Sequence, residues 1–187
     1  MVADTYPSWK CFGILCGRTT ACKSCHRAHS NMEWERELSL NFPTGHHVSV
    51  KAALAQTLAT ELLEKSACSN CGSVARSRSV DVLRWPRALI LVVKRWSTGA
   101  AGRRRVKDCR HIAFEEVLQP PGHDAPMYAL RSVIEHVGGS LEGGHYITWN
   151  RADSGTWFRC DDAHTQEVPW ANVQRSQAYV LMYETIC

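Results

Sequence analysis

Two short stretches of this chain carry residue types that bind metal. They are "CKSC", with Cys22 and Cys25, and "CSNC", with Cys68 and Cys71. Two residues between cysteines let both thiolates face one ion from a tight turn, and two such knuckles complete a tetrahedral four-thiolate site for Zn2+. Four protein ligands leave no position for water, so the ion would be structural and would clamp two strand ends. Other chemistries explain less. "CKSCH" matches the c-type haem attachment motif but leaves the second pair without a role, and a redox dithiol uses only one pair. A nucleic-acid-binding zinc ribbon also uses two knuckles, but a minimal ribbon has a shorter insert between them.

A second candidate is "GGHYITWNR", Gly143 to Arg151, in which His145 leads a strand-like run. A histidine acting as a general base needs a carboxylate to fix its tautomer and stabilise the imidazolium. "WFRCDDAH" supplies Asp161 and Asp162. The turn-forming "RADSG" between the two runs predicts an antiparallel hairpin. The far end of the second strand then returns beside the start of the first, which puts Asp161 near His145. By itself, a His and an Asp on adjacent strands is more often a structural pair than a working one.

Several elements must position these groups. The chain has 187 residues, 44% of them hydrophobic, enough for one domain with a core or two small lobes. The net charge of +4 is concentrated in "GRRRVKD", which reads as a solvated loop rather than a nucleic-acid surface. The first residues show no secretory pattern, and no apolar run approaches the ~18–20 residues of a membrane span. Nine cysteines, an odd count, with four in CxxC pairs, favour metal over disulfides and a reducing compartment, cytoplasm or nucleus. "ELSLNF" alternates like a strand, and Leu54, Ala55, Leu58 and Leu62 recur at helical spacing within Val48–Lys65. "SRSVDVLRWP", "RALILVVKRW", "MYALRSVIEHV", "HYITWNR", "GTWFRCDD" and "AYVLMYET" read as strands. "HIAFEEVLQPP" reads as a short edge element, and "WSTGAAGRRR" as a turn or connection. The second half is therefore an antiparallel sheet with little helix, and the first half an arm tied by zinc.

These stretches together resemble the ubiquitin-specific proteases, a family of papain-like thiol peptidases. The resemblance runs from about Phe12 to Tyr183. In that family a glycine-flanked His-Tyr opens one strand, a Trp-containing strand follows and ends in Asp-Asp or Asn-Asp, and a final strand reads Ala-Tyr-x-Leu-x-Tyr. "LRWPRALILVVKRW" is similar to its Pro-to-Lys-Arg-Phe strand, with Trp96 in place of the Phe. "YALRSVIEHVGGSLEGGHY" is similar to the segment that leads into its histidine. The two knuckles and "ELSLNFP" match its zinc-binding fingers.

The resemblance implies an α+β, papain-like cysteine peptidase fold with a fingers portion over residues 1–80 and a mostly antiparallel β palm over 81–187. It implies His145 as general base, Asp161 as its orienter, and Asp162 as an assistant or substitute. Gly143, Gly144 and Tyr146 are the implied substrate-binding residues, the glycines letting a thin glycine tail pass close to the backbone. The expected partner is ubiquitin, cleaved after its C-terminal glycine through an acyl-enzyme, and the expected cofactor is one structural zinc at Cys22, Cys25, Cys68 and Cys71. No membrane partner is expected.

One family feature is missing. The nucleophile's box, roughly Gly-x-Thr-Cys-aromatic-x-Asn at the start of a helix, has no match. "GILCGRT" around Cys16 lacks the aromatic residue and the Asn. "WKCFGI" around Cys11 lacks the preceding Gly-x-Thr and the Asn. Both lie next to the fingers, with no room for the helical thumb. The expectation is the fingers and palm of a peptidase domain without its thumb, inactive as it stands. A part of a longer enzyme fits better than a naturally thumb-less relative. A catalytically dead ubiquitin-binding module and a zinc-ribbon nucleic-acid-binding protein are the alternatives.

Overall fold

The computed structural model of the chain describes residues 7–42, 48–63, 66–98, 105–122, 124–140 and 143–186. The sequence opens with a short helix, α1 (Pro7–Phe12), and a hairpin of β1 (Ile14–Cys22) and β2 (Ala28–Glu35). Then come β3 (Leu38–Leu40), α2 (Val50–Leu58), β4 (Glu61–Leu63), β5 (Arg76–Arg84), β6 (Ala88–Val93), β7 (Trp96–Thr98), β8 (Arg105–Lys107) and β9 (Val117–Leu118). The chain closes with β10 (Tyr128–Val137), β11 (His145–Arg151), β12 (Trp157–Asp161), β13 (His164–Val168), α3 (Trp170–Val173) and β14 (Ala178–Thr185).

The strands form two main sheets. One has the order β2-β1-β5-β4 and carries both cysteine pairs at one end. The other runs β13-β12-β11-β10-β14-β6-β3, with β9 paired to β10. Every contact in the larger sheet is antiparallel except β3 beside β6, which is parallel. The β6 sequence "ALILVV" lies between β14 and β3, and four of its six side chains are buried. A near-continuous apolar run is what an inner strand covered on both faces needs.

One core joins the two sheets. Ile14 and Cys16 of β1 lie in the same buried cluster as Leu40, Leu91, Leu130, Ile147, Trp157 and Leu181. Each fully buried leucine or isoleucine there stabilises the fold by roughly 1.5–3 kcal/mol. The buried tyrosines satisfy their hydroxyls, Tyr128 donating to the Pro86 carbonyl at 2.6 Å and Tyr183 to that of Glu115 at 2.9 Å.

Two elements differ from the sequence reading. The helix within Val48–Lys65 ends at Leu58, with Leu54 of the expected stripe buried and Leu58 packed against the core. Ser49 caps it, its Oγ accepting the Ala52 N–H at 3.1 Å, and Val50, Ala53 and Leu54 face the core. Ala55 points outward and Leu62 sits in β4, 62% exposed, because the chain turns extended at Ala59. "HIAFEEVLQPP" makes the expected short element, the two-residue β9 that stops before Pro120, with Ile112 and Phe114 buried ahead of it. "WSTGAAGRRR" is more than a connection, since β7 pairs with β8 as a separate hairpin, while 99–104, including Arg103 and Arg104 of the basic cluster, lie outside the described residues.

Candidate functional site

Two constellations stand out. The first is built by β1 and β5, whose pairing ends at Cys22 opposite Arg76. Cys22 and Cys25 meet Cys68 and Cys71 there. The Cys22–Cys71 and Cys25–Cys68 sulfur distances are both 3.7 Å, and all four sulfurs lie within 4.8 Å of one another. A tetrahedral ion with Zn–S bonds of about 2.3 Å requires sulfurs about 3.8 Å apart. The donor set therefore fits Zn2+, and the four-cysteine cluster is compatible with a zinc site.

The two knuckles have matching backbones. His26 N–H donates to the Cys22 carbonyl at 3.0 Å, as Gly72 N–H does to Cys68 at 2.8 Å. Cys22 N–H reaches the Arg27 carbonyl as Cys68 N–H reaches Ser73. His26 and Gly72 are both left-handed, with φ of 57° and 72°. The Arg27 backbone N–H, then the Asn70 side chain, lower the Cys25 thiol to about 6. Cys71 is pushed up to about 12: the Ser73 N–H lowers it, but Cys25, burial and the other thiols outweigh that. Four adjacent thiols do not all ionise unless a cation neutralises them. A left-handed histidine costs about 1–2 kcal/mol, against the chain entropy a glycine adds. His26→Gly is therefore expected to stabilise the zinc-loaded chain by about 0.5 kcal/mol. Denaturant midpoints check this, and a lower midpoint for the variant contradicts it.

The second constellation is at the mouth of the β11–β12 hairpin. The register runs Arg151 opposite Trp157 to Thr148 opposite Cys160. Alternation then puts His145 and Asp161 on one face as diagonal neighbours. His145 Nε2 lies 2.5 Å from Asp161 Oδ1. The other Asp161 oxygen accepts from Arg159 Nη2 at 2.7 Å. The carboxylate is thus held from both sides, and Nδ1 is the ring nitrogen it does not engage. Asp162 is more distant, its Oδ2 4.0 Å from Nε2 and its side chain 82% exposed. It occupies the tight turn into β13 with a φ of 49°, which aspartate tolerates better than most residues.

The hydrogen bond to Asp161 raises the His145 pKa above its ordinary 6.5, burial opposing and the Asp162 charge adding. The same bond, then Arg159, holds Asp161 below the carboxylate range. A raised histidine contributes stability that is fully present below 6.5 and is lost as pH rises through its folded value. The depressed aspartate contributes above its ordinary 3.8 and loses that contribution as pH falls through its folded value. An NMR titration of His145 is expected to give a pKa above 6.5 that drops in Asp161→Asn. An unchanged value in the variant contradicts the pairing.

The other expected site residues separate. Gly144 lies against His136, where a Cβ would come 2.1 Å from Nε2, so only glycine fits; Gly143 has open space around it. Tyr146 points to the face opposite His145. The residue is 57% exposed, and its ring centroid lies 4.8 Å from that of His136 and 6.3 Å from that of Tyr179. The sequence reading missed Arg159, although a cation two residues before Asp161 on one strand shares its face. It also missed His136 and Lys107, which no local pattern reveals. Burial pushes the Cys16 thiol in β1 up to about 11, with Glu35 adding to it. The close group of His145, Asp161 and Asp162 contains no cysteine among the described residues.

The family model "Ubiquitin carboxyl-terminal hydrolase" matches residues 10–183. The chain belongs to the ubiquitin carboxyl-terminal hydrolase family, and it is a member of the ubiquitin-specific protease type. It is 28% identical over 186 residues to human (Homo sapiens) ubiquitin carboxyl-terminal hydrolase 17-like protein 12, covering 96% of this chain and 35% of that protein. Human ubiquitin carboxyl-terminal hydrolase 17 is 27% identical over the same shares. The chain thus spans about a third of the length of these relatives. Among solved structures, the SAGA Ubp8/Sgf11/Sus1/Sgf73 DUB module bound to ubiquitin aldehyde superposes with a TM-score of 0.85 at 20% identity. That match covers 98% of this chain and 43% of the other. The module bound to monoubiquitin gives 0.84 at 22%, covering 96% and 42%. The fold is the expected α+β one, with a mostly antiparallel palm and a four-cysteine fingers lobe. No helix among the described residues is long and apolar enough to cross a membrane.

Proposed function

We propose that this chain supplies the fingers and the base-bearing palm of a cysteine-type deubiquitinase, which hydrolyses the bond after the C-terminal glycine of ubiquitin. The observation that carries the reading is the His145–Asp161 pair at 2.5 Å, locked by Arg159, in a member of this hydrolase family. His145 accepts the proton of a nucleophilic thiol through the nitrogen that Asp161 leaves unengaged, and Asp161 holds the tautomer and stabilises the imidazolium. The thiolate attacks the carbonyl carbon, His145 returns the proton to the leaving amine, and water then hydrolyses the thioester. Asp162 lies within reach to assist. The open space at Gly143 leaves room for the substrate's glycine tail, Gly144 lets the backbone close against His136, and Tyr146 flanks the tail.

The thiol comes from outside the residues described. Cys16 is buried with a raised pKa, and Cys11 does not join the His145 group. Cys22, Cys25, Cys68 and Cys71 hold one structural zinc, which fixes the end of the fingers. Residues 1–80 form the fingers portion and 81–187 the palm portion; β3 of the first hydrogen-bonds into the larger sheet of the second. The proposed place of action is the cytoplasm or nucleus.

The same absence of a nearby thiol favours a second reading, a catalytically dead ubiquitin-binding module. One experiment tests both. The chain is expected to bind ubiquitin saturably and to form no covalent adduct with a ubiquitin probe bearing a C-terminal electrophile. An adduct at Cys11 or Cys16 overturns the assignment of the thiol. Absence of ubiquitin binding overturns both readings.

A further inference from the structure

Lys107, at the end of β8, is only 8% exposed. A buried ammonium is costly unless its donors are met. Its Nζ donates to the backbone carbonyls of His136, at 2.7 Å, and of Gly138. Those two residues flank Val137, the strand partner of His145. The β7–β8 hairpin belongs to neither larger sheet, so Lys107 reaches β10 from a separate element.

The segment it grips is tightly packed. The His136 ring fills the space that a side chain at Gly144 would need and leans on Tyr146. Gly138 is left-handed, with φ of 132°, and a Cβ there would come 3.2 Å from Gly144 Cα. A shift of residues 136–138 therefore moves Gly144 and the first residue of β11 with it.

We propose that Lys107 is a positioning residue for His145. Its ammonium pins β10 on both sides of Val137 and so sets where β11 begins and where the imidazole stands relative to Asp161. The role rests on the reading of His145 as the working base. It provides the support that a reactive side chain needs from its surroundings to hold its geometry.

The test uses the zinc-loaded chain with Lys107→Met, which keeps the stem and removes the charge, and Lys107→Arg. In Lys107→Met, amide exchange at Gly144 and His145 is expected to speed up about tenfold while β6 and β14 stay protected. The His145 pKa moves back toward 6.5 as its bond to Asp161 loosens. Lys107→Arg restores both. Wild-type behaviour in Lys107→Met, or uniformly faster exchange across β6 and β14, overturns the role. If Lys107→Met does not fold, the wild-type chain decides: Nζ protons exchanging as fast as those of a free lysine overturn it, and protected ones support it. Ubiquitin titration of the wild type tests the functional reading separately, because the exchange and pKa readouts need no substrate.

Discussion

Cys22→Ser or Cys68→Ser is expected to abolish zinc retention and to unfold the end of the fingers sheet, the largest stability effect of any single change discussed. Cys22 and Cys68 are the two buried members of the cluster, at 2% and 7% exposure. Little else holds that end. Six of the eight β2 residues are exposed, and between Cys16 and Cys22 no β1 side chain is fully buried. A lobe with so little apolar burial would depend on a metal bound at the four-cysteine cluster, and structural zinc contributes about 10–16 kcal/mol of apparent binding energy in isolated fingers. Metal analysis is expected to show one zinc per chain in the wild type and essentially none in either variant. Limited proteolysis is expected to cut between β1 and β2 while β6, β10 and β14 survive. Full zinc retention in Cys22→Ser contradicts the ligand assignment.

The second large effect is catalytic. In a complete enzyme carrying this segment, His145→Ala is expected to lower kcat/KM for a ubiquitin C-terminal amide by roughly 10³–10⁴-fold, the scale of losing a positioned base. Asp161→Asn is expected to cost about 10²–10⁴-fold, because the amide can hold the wrong tautomer and cannot stabilise the imidazolium. Asp162→Asn is expected to cost less than about tenfold, since its carboxylate is 4.0 Å from the ring and 82% exposed. KM is expected to change little in His145→Ala, because the base acts on the thiol rather than on the bound body of ubiquitin. A larger loss from Asp162→Asn than from Asp161→Asn reverses the assignment of the orienter.

Much of this architecture is legible locally. β-branched and aromatic residues mark β10, β11, β12 and β14, with Ile147 and Trp149 of β11 alternating onto the core, and "ALILVV" marks β6 because both its faces are covered. The exposed strands β2 and β13 are not legible. "AHSNMEWE" and "HTQEV" bury almost nothing, so no hydrophobic period betrays them; pairing with a neighbour makes them strands. The helix within Val48–Lys65 is legible as an element and partly in its face: Leu54 and Leu58 pack on the core, while Val50 and Ala53 complete the buried stripe in place of Ala55 and Leu62. β3 and β5, packed against the helix, select that face.

By itself, the sequence determined the chemistry available: two cysteine knuckles, a histidine at a strand mouth, and two aspartates at the end of the next strand. Spacing sets these because a knuckle and a hairpin are local structures whose geometry follows from a few backbone angles. Tertiary structure alone decided the rest. It brought residues 22, 25, 68 and 71 to a common centre and laid His136 and Lys107 beneath the glycines before His145. Those contacts join residues far apart in the chain. They depend on how strands from different hairpins come into register, and no short stretch of sequence encodes that.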